Sequence, residues 1–400
     1  MEDHGGAEGA SSPLASAGRP AGTHRRDAHR AAGDPQPSRG GGVLVPLLGP
    51  APGPRPPPAA VTETRRRALA FAVLAAALPL CLCLASASGS VALPPGSVLS
   101  SLGARLGLPD VFPLSPAGQT ILWTVRLPRV LLAAVVGGGL AVVGAALQSV
   151  FRNPMADSGL LGVGSGAACG AVLAVKIGWG QTFLALPIAA FAGAMAAVLA
   201  VYVLAHAAGR PSLHALLLTG LAVSALAGAG TSVLLVATEE FRVRTVLFWL
   251  AGGLEGRSWT HVQLGGGLIV AGALLLLALA RPLDVLSLGT EEAAALGLPV
   301  HLTRLGILAV SSLVAGAATS VAGSVPFVGL VAPHALRPLV GPLGRHLLPA
   351  AFLGGAVLVV LADLAARTLS AQLDLPLGAL TAFVGAPYFL LALRTHEARA

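Results

Sequence analysis

Charged side chains are scarce in this chain, so the few that interrupt its apolar stretches are the first candidates for chemistry. Arg126 and Arg129, in the run Arg126-Leu-Pro-Arg129, stand at the entrance to a long apolar segment. Two cations this close call for a negatively charged partner, or for lipid headgroups that would take the same guanidinium tips. Asp363 and Arg367 are four residues apart inside another apolar run. On a helix they share a face, where an ion pair would lower the cost of membrane burial, and a functional role stands beside that explanation. The segment from Leu283 to Val300, LDVLSLGTEEAAALGLPV, is a third candidate. Gly289 and Gly297 bracket an Ala-rich turn, Thr290 is placed to cap it, and Glu291 and Glu292 fall in its first turn. Such a short helix between two apolar runs is either a handle that a soluble partner could grip or an incidental surface helix.

Several chemistries are excluded. A phosphate-binding loop of the Gly-x-x-x-x-Gly-Lys-Ser/Thr type needs a lysine before its hydroxyl residue, and the only lysine, Lys176, precedes Ile177. ATP hydrolysis by that machinery is therefore ruled out for this chain. The stretch Gly162 to Ala167 has the form of a dinucleotide fingerprint, but no strand precedes it and no acidic residue follows at the required distance. His206, His214, His301 and His346 sit at the ends of apolar runs and His334 follows Pro333, without the converging ligands a metal site needs. Cys81, Cys83 and Cys169 lie in apolar runs with no ligand spacing, as packing residues do. No cluster of nucleophile, base and orienting group is present, so no catalytic residue and no metal site are assigned.

The elements that must position these residues follow from composition. Of the 400 residues 55% are hydrophobic and 10% charged, with a mean hydropathy of +0.80; soluble domains carry about 25% charged residues. The net charge of +8 does not indicate nucleic acid, because nine basic residues precede residue 68 and most others flank apolar runs. Residues 1–67 are rich in Pro, Gly, Ala, Ser and Arg and are expected to be a disordered extension. Residues 68–395 form the membrane domain, and 396–400 a short tail. About ten spans are expected: 68–88, 130–150, 159–175, 183–208, 213–237, 262–280, 302–321, 325–340, 347–366 and 377–393, the eighth being short. Arg65-Arg66-Arg67 before the first span, with Arg152, Arg210, Arg281, Arg304, Arg337 and Arg345 in alternate loops, predicts cytoplasmic N- and C-termini. Gly162, Gly166 and Gly170 recur every four residues, which predicts a helix-packing face that lets backbones approach closely. The fold class is an all-α polytopic membrane protein. A secondary transporter, the rival class, would carry more intramembrane acids than this chain does.

The chain resembles the FecCD-type permeases of ABC importers for iron chelates (siderophore or haem) and cobalamin. The resemblance is carried, in order, by Arg126 to Gly166, Phe248 to Trp259 (FWLAGGLEGRSW), LGTEEAAALGLPV, Ser324 to Pro342 (SVPFVGLVAPHALRPLVGP) and Ala362 to Arg394. It implies the type II importer permease fold in a bacterial cytoplasmic membrane. It also implies a second permease subunit (identical or a paralogue), two cytoplasmic ATPase subunits carrying ATP and Mg, and an extracytoplasmic substrate-binding protein. No cofactor is implied for this chain itself. Arg126, Arg129 and Arg367 resemble arginines that dock the binding protein. Gly289, Thr290, Glu291, Glu292 and Gly297 resemble the segment coupled to the ATPase, and Ser212, Leu213 and His214 the cytoplasmic gate. The cobalamin importer permeases have small hydroxyl residues where Leu213 and His214 stand.

Overall fold

The computed structural model describes residues 58–89, 91–179, 184–207, 213–369 and 375–397, and every regular element among them is a helix. In chain order these are α1 (Pro58–Ala87), α2 (Pro95–Ala104), α3 (Pro116–Phe151), α4 (Val163–Lys176), α5 (Ala185–Ala207), α6 (Leu213–Val236) and α7 (Glu240–Leu250). There follow α8 (Trp259–Ala278), α9 (Ala280–Leu288), α10 (Thr290–Ala295), α11 (Val300–Ala322), α12 (Val328–Val340), α13 (Gly344–Thr368) and α14 (Leu377–Glu397). Seven helices are long and apolar enough to cross a membrane: α1, α3, α5, α6, α8, α11 and α13. The shorter apolar helices α4, α12 and α14 fall where the remaining three spans are expected. With 13 residues α12 reaches only about 20 Å, short of the ~30 Å hydrocarbon core.

Helix α1 begins at Pro58, ten residues before the expected boundary at 68; residues 1–57 lie outside the described residues. Proline suits a first helical turn, and Arg67 pairs with Glu63 at 3.0 Å one turn away, so the basic triplet continues the helix instead of ending a linker. Helices α2, α7 and α9 were not expected; each is short and lies beside a span.

The bundle is organised around α3, whose residues from Leu127 to Phe151 are nearly all buried. Glycines set its contacts. A methyl group on Gly137 would collide with the carbonyl of Gly355 in α13, and one on Gly144 with the carbonyl of Gly329 in α12. With no side chain between them, the backbones pack directly, which gives dispersion contact that lipid cannot match. The α4–α5 pair is built the same way, Gly166 and Gly170 lying against Gly193, Ala197 and the Ala189 carbonyl. Gly162 is a correction. It stands before α4 with φ 74°, closing a 3-10 turn (Ser158–Leu161), and its nearest neighbour is 3.5 Å from where a Cβ would sit. Its contribution is the left-handed backbone rather than packing.

Candidate functional site

At one end of the bundle two of the three arginines expected to meet a partner, Arg129 and Arg367, converge on a single acid, and Arg126 lies beside them. Helix α3 relaxes into a π turn over Ile121–Arg126 just before Pro128, which has no N–H to donate and crowds the preceding turn. This turn precedes Arg129, whose Nε donates to Asp363 Oδ1 at 2.9 Å. Arg367 Nε lies 3.1 Å from the other oxygen, Oδ2. The Asp363 side chain is 1% exposed, so one carboxylate buried in α13 joins α3 to its own helix.

Two guanidiniums on one carboxylate, with the cationic Arg126 beside Arg367, leave positive charge over, and the C-terminus of α1 takes it up. Arg367 donates from Nη1 to the Ser88 carbonyl and from Nη2 to that of Ala85, both at 3.0 Å. Arg126, 5% exposed, donates from Nη1 to the Ser86 and Ala87 carbonyls at 2.9 and 2.8 Å and from Nη2 to the Val91 carbonyl. The last carbonyls of a helix lack intrahelical partners and carry the negative end of its dipole, so cations supplied by α3 and α13 cap α1. Of the three arginines expected to meet a partner, Arg126 and Arg367 have their guanidinium groups turned onto backbone carbonyls of this chain. The sequence could not disclose this, since backbone carbonyls leave no mark in a motif.

Arg129 differs because it also lines an open cavity of about 410 Å³ with Thr245, Trp249, Glu255, Arg257 and Leu375. Arg257, in the turn between α7 and α8, has its Nε buried without an acceptor. Burial lowers its pKa to about 10, which still leaves it cationic at neutral pH. The cavity therefore offers two positive groups and one acid at a polar mouth.

At the opposite end the segment read as a handle is an elbow of two helices. Leu283 and Leu286 bury one side of α9 in the core, and Ala293 does the same for α10. Between them Gly289 adopts φ 150° and ψ 163°, a region essentially confined to glycine. The helix N-cap is Gly289, not Thr290; Thr290 is the first helical residue, and its hydroxyl accepts from Arg304 Nη2 at 3.3 Å. Glu291 and Glu292 are exposed in the first turn. Gly297, at φ 82°, donates to the Ala294 carbonyl at 2.9 Å, and Leu298 to that of Ala293 at 3.1 Å, a complete Schellman stop. Asp284 Oδ1 accepts from the Gly344 N–H at 2.6 Å, which ties α9 to the start of α13. The elbow is thus closed by its own hydrogen bonds, exposed on its acidic side and fastened to the helix that carries Asp363.

Beside the elbow is a cavity of about 800 Å³ lined by Gln148, Arg152, Ser287, His334 and Arg337. Gln148, 4% exposed in α3, donates from Nε2 to the Gly329 carbonyl at 3.1 Å and accepts from Arg337 Nη2 at 2.9 Å. This polar bridge between α3 and α12 went unread; the signal for it was a lone glutamine in an apolar run. Leu213 and His214 open α6, Leu213 against the core and His214 exposed, while Ser212 lies outside the described residues.

Among the described residues, seven helices of membrane-crossing length and three shorter apolar ones, with a charged recess at one end and a helical elbow at the other, have the architecture of a polytopic membrane protein. The FecCD transport family profile matches residues 77–395, and the chain belongs to that family. It is 44% identical over 292 residues to the cobalamin import system permease protein BtuC of Halobacterium salinarum, covering 73% of this chain and 78% of the relative. It is 43% identical over 284 residues to the hemin transport system permease protein HmuU of Yersinia pestis, covering 70% and 85%. A solved structure of a metal-chelate type ABC transporter in an inward-facing conformation superposes with a TM-score of 0.72 at 30% identity, covering 82% of this chain and 99% of the other. The chain is accordingly a permease subunit of the ABC importer class.

Proposed function

We propose that this permease carries an iron–siderophore or a related metal chelate inward across a bacterial cytoplasmic membrane, with both termini in the cytoplasm. It works as one of two permease subunits, and ATP and Mg are handled by two separate ATPase subunits at the elbow end. A binding protein delivers cargo at the other end, where acidic groups would meet Arg129 and Arg257. Arg126 and Arg367 serve that surface by holding the end of α1 in place. The observation that carries the proposal is the elbow: a push on Glu291 and Glu292 passes through Gly289, α9 and the Asp284–Gly344 hydrogen bond into α13. Leu213 and His214, with Ser212, would form the inner gate at the foot of α6. Haem or cobalamin is the second reading of the cargo, supported by the relatives named for those substrates.

The test is ATPase activity of the chain assembled in nanodiscs with its ATPase and binding protein. Stimulation by the binding protein that falls on charge reversal of Arg129 and Arg257 supports the proposal. Failure of any ATPase subunit to associate would overturn it.

A further inference from the structure

We propose that the cavity between the starts of α9 and α13 binds the phosphodiester headgroup of an anionic phospholipid. The cavity measures about 420 Å³ and is lined by Arg281 and Arg345 on its polar side. Each arginine is exposed, and neither guanidinium has a hydrogen bond or ion pair with any described residue. Of the acids nearby, Glu63 pairs with Arg67 at 3.0 Å, while Asp284 accepts from the Gly344 N–H at 2.6 Å and makes no ion pair with Arg281 or Arg345. Arg67 in turn reaches the adjacent loop, 3.5 Å from the position a Cβ would take on Gly341. Two cations without an ion-pair partner among the described residues therefore share one recess, next to the Arg67–Glu63 pair and the Asp284 carboxylate. Guanidiniums bind phosphate oxygens with paired, charge-assisted donors, which suits a phosphodiester better than a lone halide.

The rest of the lining decides between a lipid and a soluble anion. Leu277, Ala278 and Pro349 supply the apolar part of the lining, and they belong to α8 and α13, both of membrane-crossing length. Leu274 and Leu275, 61% and 49% exposed, continue that apolar surface further into the span. A polar rim above an apolar wall fits an amphiphile, whereas free phosphate would gain nothing from the wall. The same end carries the arginine-rich loops, and basic pockets between spans on the cytoplasmic side are where acidic headgroups collect.

Native mass spectrometry of the full chain, released from nanodiscs of mixed phosphatidylglycerol and phosphatidylcholine, tests this. The wild type should retain phosphatidylglycerol in preference, and R281Q/R345Q should lose that preference by roughly tenfold or more. R281K/R345K should keep most of it. Because the Gln variant could misfold, a salt series on the wild type gives a second readout: retention of phosphatidylglycerol should fall with salt while that of phosphatidylcholine holds. Unchanged preference in R281Q/R345Q, or indifference to salt, overturns the proposal. Displacement of the lipid by inorganic phosphate alone overturns it in favour of a free-anion site. Loss of ATPase association with unchanged lipid retention overturns it in favour of a protein contact.

Discussion

Arg129 and Asp363, 234 residues apart in sequence, meet at 2.9 Å at the bundle's charged end, where Arg129 also borders the open recess and Asp363 is buried. Through Arg367 the same carboxylate organises the cap on α1, so three helices depend on one acid. Removing one partner of a buried ion pair leaves the others uncompensated, at a cost of about 3–5 kcal/mol. Asp363→Asn is therefore expected to lower the thermal stability of the purified chain markedly. Arg129→Gln should cost less, because Asp363 keeps Arg367. Equal losses from the two substitutions, measured by thermal unfolding in detergent, would contradict the shared-acid arrangement.

Gly289 gives a prediction for the elbow. A side chain in its backbone region costs of order 1–3 kcal/mol, and a Cβ there would also meet the Glu292 carboxylate. Gly289→Val should thus bend or loosen the elbow while leaving the spans folded. ATPase association or stimulated hydrolysis should drop several-fold, with little change in melting temperature. A variant that keeps full stimulation would show that the elbow's shape is not used.

The packing face of α4 can be tested inside one helix. Gly166→Ala drives a methyl into Gly193 and Ala197 of α5, whereas nothing lies within 4 Å of a Cβ on Gly164. Overpacking of this kind costs about 1–3 kcal/mol, so Gly166→Ala should lower the melting temperature and Gly164→Ala should leave it nearly unchanged. The reverse order would mean that α4 packs through its other face.

Arg257 makes a pH prediction whose sign is fixed by its lowered pKa of about 10. Folding disfavours its charged form, so the group is a destabilising element that is fully present below pH 10 and fades as pH rises from there toward the unfolded value. Between pH 6 and 9 it stays charged, and effects that depend on its charge should be flat with pH and sensitive to salt. Arg257→Met should leave thermal stability equal or higher at pH 7.5, with any gain shrinking above pH 10. A stability loss at pH 7.5 would show that the guanidinium has a partner that stabilises it.

Most of the architecture was legible because lipid imposes it: a span must be apolar along nearly its whole length, and all ten apolar runs coincide with helices. The elbow was legible from its glycines and paired acids, although Thr290 proved to be one position inside the cap. What stayed hidden was relational. The pairing of Asp363 with Arg129 spans most of the chain, and the capping of α1 uses backbone carbonyls common to every residue. Short helices such as α2 and α7 are too brief for their periodicity to stand out beside the spans. Gly162 has the spacing of Gly166 and Gly170, but a pattern of four cannot tell a packing glycine from one that turns the chain.

The most direct test of the importer function is uptake into sealed proteoliposomes that contain the permease and its ATPase, with the binding protein and a labelled iron–siderophore outside and ATP within. The expected result is accumulation that requires both ATP and the binding protein and that falls in Gly289→Val. Accumulation driven by an ion gradient with the ATPase left out would contradict it.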